Sequence, residues 1–212
     1  DRDLTGLVFS GLVKADASGN LVPDLAESVN VSDDNKVYTL ELRDNARWHD
    51  GEPVTAEDVL STIESIQDPE YRSPLRVSFA GVETRLVDNK TVSFVLREPF
   101  PAFLTALTVG IIPKHMWYSI PPAQAHLAEL NIKPIGSGPY RFETVTKDTN
   151  GSIRTIALKR NEQFYADPPY IEDLIFKFYS DFPSAIEALK NKNVDGLSFL
   201  PLEYKRELEG SK

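Results

Sequence analysis

Apolar and polar residues alternate through Tyr38-Thr39-Leu40-Glu41-Leu42-Arg43, which predicts a strand with Tyr38, Leu40 and Leu42 on its buried face. The period then lengthens. Ala56, Val59, Leu60, Ile63 and Ile66 share one stripe of a helix over 55–67. Between these elements Asp50-Gly51 is a turn pair, and Thr55 with Asp58 three residues on makes a near capping box.

The same pattern extends along the chain. Leu4, Leu7, Val8 and Leu12 carry helical spacing, and Val13-Lys14-Ala15 runs into a turn at Ser18-Gly19-Asn20. Three hairpins are predicted. The first joins Val29 and Val31 to 37–43 across Asp33-Asp34-Asn35. The second joins 82–86 to Val92, Phe94 and Leu96 across Asp88-Asn89-Lys90. The third joins 140–146 to 153–158 across a tip ending in Asn150-Gly151. Pro69 and Pro74 mark a loop, and short helices are expected from Pro101 to Leu107, from Pro113 to near Tyr118, and from Pro121-Pro122 to about Leu130. The run from Leu174 to Tyr179 is apolar almost throughout and predicts a strand buried on both faces. A helix over 183–191 and a strand over 196–200 would complete a βαβ unit with parallel strands.

With 212 residues, 41% of them hydrophobic, the chain can bury a sizeable core. Its net charge of −9 repels phosphate backbones, so nucleic acid is excluded as a partner. The absence of cysteine removes disulfides, thiolate metal sites and thiol nucleophiles together. No apolar run approaches the roughly 20 residues that span a bilayer. The abrupt start at Asp1-Arg2-Asp3-Leu4, without a signal segment, reads as a trimmed piece of a longer polypeptide.

Candidate chemistry is sparse. His49, His115 and His126 share no ligand spacing, so no metal is assigned to them, and His49 reads as part of a turn-packing trio with Trp48 and Asp50. Glu57-Asp58 and Glu172-Asp173 are adjacent acids that point apart, better as caps or solvated charges than as a catalytic dyad. Gly136-Ser137-Gly138-Pro139 lacks the glycines of a phosphate loop and suits a sharp backbone turn into a sheet. The sequons at Asn30, Asn89 and Asn150 lie at hairpin tips, where turn chemistry already favours Asn. Tyr71, Phe79, Phe100, Phe103, Trp117, Tyr118, Phe164 and Tyr165 are core or cleft residues, and the sequence does not choose between those roles.

The stretch from Tyr38 to Val59, with Trp48-His49-Asp50-Gly51 and Thr55-Ala56-Glu57-Asp58-Val59, closely resembles the signature segment of family 5 extracellular solute-binding proteins, the peptide and nickel receptors of ABC importers. Further landmarks follow in the family's order. They are Leu7 to Leu12, Asp16 to Ser28, Ile112-Pro113-Lys114-His115, Gly136 to Phe142, Lys159 to Tyr165, and Ala188 to Gly196.

The resemblance implies an α/β, periplasmic-binding-protein-like fold of type II. Residues 1–44 and 139–212 would form the first lobe and 45–138 an inserted mixed α+β subdomain, with the second, ligand-clasping lobe missing from this length of chain. It implies an extracytoplasmic receptor, in the periplasm or lipid-anchored at the outer face of the cytoplasmic membrane. The receptor is a monomer, takes a small solute, foremost a peptide, by hinge closure, and docks on an ABC permease. No enzyme activity, cofactor or catalytic residue follows, and ligand-binding residues stay unknown because the shared motifs are architectural and peptide capture leans on backbone pairing. Two other readings remain open: a carbohydrate-active enzyme domain with paired carboxylates, and an interaction module that keeps the fold without transport.

Overall fold

A computed structural model describes residues 2–209. The chain packs as two compact units, Asp1–Phe142 with Lys159–Glu172, and Glu143–Leu158 with Asp173–Lys212.

The first unit opens with helix α1 (Arg2–Val8) and a small antiparallel pair, β1 (Val13–Ala15) and β2 (Leu21–Pro23). Strands β3 (Ala26–Val31) and β4 (Val37–Leu42) form the first expected hairpin, with Asn35 at its tip in the left-handed region (φ 55°). Helix α2 (Ala56–Gln67) follows, then the second hairpin, β5 (Glu83–Leu86) with β6 (Thr91–Val95). All four strands make one antiparallel sheet in the order β3-β4-β6-β5.

The alternation decides which face is buried. Tyr38 lies opposite Phe94 and Leu40 opposite Val92, and all four are at most 2% exposed. Ala56, Val59, Ile63 and Ile66 of α2 belong to the same core. Short helix α3 (Phe103–Ala106) brings Phe103 into the middle of it, edge-on to Tyr38 and Phe94 at centroid distances of 5.0 and 5.5 Å. Helix α4 (Lys114–Trp117) starts at Pro113, as expected.

Strand β4 is hydrogen-bonded along β6, and both feed one core. The compact units divide at 142/143 and 158/159, within β7 and β8, and at 172/173. One expectation for this region changes. The helical segment after Pro121-Pro122 is 3₁₀ (Pro122–Leu127, then Glu129–Asn131). Only Ala125 of it is buried, so little apolar area rewards a longer α-helix.

The second unit holds most of the third hairpin, β7 (Tyr140–Lys147) and β8 (Ile153–Arg160), with β9 (Asp173–Lys177) next to β8. Gly151, at φ 84°, makes the tip turn. Helix α5 (Phe182–Lys190) is capped by Asp181, whose carboxylate accepts the Ser184 N–H at 2.8 Å, and α6 (Leu202–Glu209) follows.

Strand β9 exists but is not buried on both faces, since Ile175 is 62% exposed. Residues 196–200 are not a strand, so no βαβ unit forms. A short apolar run becomes a strand only when a neighbour takes its backbone groups. Phe199 instead packs its ring against Phe182, 6.1 Å between centroids.

Asp58 ties α2 to α4. It is 4% exposed, yet its Oδ2 accepts the Thr55 N–H (2.9 Å) and hydroxyl (3.0 Å), and its Oδ1 accepts the Lys114 N–H (2.8 Å). Replacing Asp58 by Ala strips both helix starts, and urea unfolding is expected to show a loss of about 2–4 kcal/mol. Thr55→Ala, which keeps the carboxylate, should cost about 1 kcal/mol.

Candidate functional site

The chain returns from α4 toward β7 through Gly136-Ser137-Gly138, and all three residues are buried. Both glycines are there for closeness. Neither has positive φ, but a Cβ on Gly136 would collide with the Val8 carbonyl, and one on Gly138 would come within 2.5 Å of the Leu7 carbonyl oxygen. Gly138 N–H donates to Val8 O at 2.8 Å, so the return segment closes the end of α1.

His49 clasps this segment from the other side. Its backbone N–H donates to Gly136 O (2.8 Å), its Nδ1 lies 3.2 Å from the Gly136 nitrogen, and its Nε2 lies 3.0 Å from Gly138 O. Asn161 Nδ2 donates to the same Gly138 oxygen at 3.1 Å. His49 is therefore no local packing residue of its own turn. Asp50, beside it, instead meets His115 Nε2 at 2.8 Å. Burial holds the His49 imidazole below the usual histidine range.

A second polar centre pins the opening segment to the residues after β8. The Tyr165 hydroxyl lies 2.8 Å from both Asp24 Oδ1 and Ser10 Oγ. A carboxylate can only accept, so the phenol proton goes to Asp24 and the Ser10 hydroxyl donates to the phenol oxygen. Lys14 Nζ reaches the same carboxylate oxygen at 3.0 Å. Arg43 Nε donates to Asp24 O at 2.7 Å, and its guanidinium stands 5.8 Å from the Tyr165 ring centroid. Burial first, then the Asp24 charge, pushes the Tyr165 phenol well above the ordinary tyrosine range.

The remaining candidates scatter. Phe79 and Phe103 are core, Tyr165 belongs to the polar centre, and Tyr118 is 75% exposed. Phe79 and Phe100 line one open groove with Leu75, Ala106 and Val109. A more polar groove between α2 and the ends of β5 and β6 holds Glu64, Gln67 and Arg97. That second groove carries no sequence signal, because its residues come from three elements and share no spacing. Glu57 pairs with Lys114 at 2.9 Å and Glu172 with Lys159 at 3.6 Å, so the acidic pairs do serve as caps and surface charges.

Chemically these groups hold backbone in place. Asp16, Asp88, Asp148 and Asp181 are kept below the ordinary carboxylate range by N–H groups of their own turns or caps, chiefly those of Asn20, Lys90, Ser152 and Ser184. Among the described residues no three His, Cys, Asp or Glu lie together as metal ligands.

Tyr165 offers a direct test of this architecture. Tyr165→Phe keeps the ring and is expected to lower stability at pH 8 by about 1–3 kcal/mol. The sign of the pH effect is fixed by a folded pKa raised above the unfolded value of about 10. Stability from the phenol is whole below pH 10 and falls as pH rises beyond it. The gap between parent and variant unfolding midpoints should therefore narrow between pH 10 and 11.

Comparison with known proteins places this geometry. NikZ from Campylobacter jejuni, solved in complex with Ni(L-His), is 36% identical and superposes with a TM-score of 0.80 over 89% of this chain and 37% of that one. AppA from Bacillus subtilis, solved with a nonapeptide, is 26% identical with a TM-score of 0.81 over 91% of this chain and 38% of its own. A Brucella ovis protein described as an ABC transporter peptide-binding protein is 36% identical over 180 residues, which is 82% of this chain and 33% of the relative. The chain thus spans about a third of the length of the curated relatives it matches. The mixed α/β fold matches the corresponding part of these solved receptors. Residues 20–212 match the model of bacterial extracellular solute-binding proteins, family 5 Middle, a family of receptors and not of enzymes, and to that family this chain belongs.

Proposed function

We propose that these residues are part of the substrate-binding subunit of an ABC importer, with peptides as its cargo. The observation that carries this is the family match over 20–212, joined to the superposition on a receptor solved around a nonapeptide. In this reading the chain supplies one lobe of a type II periplasmic-binding fold. The polypeptide that makes up the rest of the relatives' length supplies the opposing lobe, and hinge closure encloses the cargo before docking on a membrane permease. The receptor works as a monomer outside the cytoplasmic membrane, free in the periplasm or lipid-anchored. No helix among the described residues is long and apolar enough to cross a membrane.

One wall of a cleft leaves most of a bound peptide hydrated, so affinity requires both lobes. Calorimetric titration with di- to pentapeptides is expected to give micromolar binding when these residues are carried at the length of their relatives. The 212-residue chain alone is expected to give none in that range. Micromolar binding by the 212-residue chain would overturn the two-lobe division, and a full-length protein that ignores peptides but takes nickel–histidine would overturn the cargo.

A further inference from the structure

We propose that His49 is an acid-released latch on the return segment Gly136–Pro139. The geometry fixes the protonation state of the ring. Gly138 O can only accept, so Nε2, 3.0 Å away, must carry a proton. Gly136 N–H can only donate, so Nδ1, 3.2 Å away, must present its lone pair. One neutral tautomer satisfies both bonds and the imidazolium cannot. A proton on Nδ1 would face the N–H of a buried glycine, leaving two donors opposed and one bond lost.

The surroundings favour the neutral ring. The charged groups that act on it are Arg141, at the start of β7, which opposes a positive ring, and Asp50, which favours one. Asp50 is already engaged by His115. Val8 of α1 and Asn161, which bond the same segment, are uncharged. Burial is the largest effect and outweighs the bond to Gly138 O, which favours the charged ring; Arg141 adds to burial, so the ring titrates below its unfolded value of about 6.5. The latch is closed above that pH and opens as pH falls from it toward the lower folded value.

Trp48 Nε1 and Ser137 Oγ, on the two segments that the clasp joins, are buried without a hydrogen-bond partner, so neither side chain adds a bond that would back up those of His49. Opening the latch frees the return segment and with it the Gly138 bond that closes α1. A protein that meets the acidity of its surroundings would thereby loosen its opening helix before its core.

The test is nitrogen-15 NMR on this chain between pH 8 and 4, with hydrogen exchange followed at Gly136, Gly138 and Gly151. The expected result is an Nε2–H tautomer at pH 8, a His49 midpoint below the unperturbed histidine value of about 6.5, and about a tenfold loss of protection at Gly136 and Gly138 as His49 protonates. Gly151, at the hairpin tip, serves as the reference. In His49→Gln the acid-dependent loss should vanish. An Nδ1–H tautomer, a midpoint at or above about 6.5, or an unchanged acid response in His49→Gln would each overturn the latch. If that variant does not fold, the parent's tautomer and the Gly136-to-Gly151 comparison decide alone.

Discussion

The carbonyl end of α1 and the return segment lie so close that no side chain fits between them. That constraint organises the first unit. With Gly136 and Gly138 packed against Leu7 and Val8, the chain after α4 has one route back toward β7, and the route passes under His49. Widening the gap by one methyl group would push the return segment off the helix end. The orphaned Val8 carbonyl, the His49 bonds and the Asn161 bond would then fail together.

Around this contact the molecule uses polar side chains as pins between distant stretches of sequence. Asp58 holds the starts of two helices, Tyr165 joins the first two dozen residues to those after β8, and His49 holds the return. Each pin is buried or largely so and has specific partners, the condition under which a buried polar group specifies a fold instead of weakening it. The apolar core built on Phe103, Tyr38 and Phe94 supplies bulk stabilisation. The pins decide which of the possible close-packed arrangements is taken.

Much of this was legible in the sequence, and the reason differs by element. The three hairpins and α2 announce themselves because period, turn residue and cap all sit within a few positions of one another. Strand neighbours do not. Nothing local says that Tyr38 faces Phe94. The run 196–200 has the composition of a strand, but the deciding factor is a partner for its backbone, which composition cannot supply. His49 looked like a turn residue because its neighbours Trp48 and Asp50 do belong to a turn. Its real partners are 87 and 89 residues further on. The return segment was half legible: two glycines promised an unusual backbone, but the cause is crowding by α1 and not a left-handed turn.

The way α1 is finished has a consequence for how the chain comes into being. A polypeptide delivered from its N-terminus presents this helix well before the donor for its Val8 carbonyl, which follows the four-stranded sheet, α2 and α4. Seven residues are too few to hold helical shape in water by themselves. Helix α1 therefore stays unsettled until the return segment has arrived, and it sets after the elements that lie between the two.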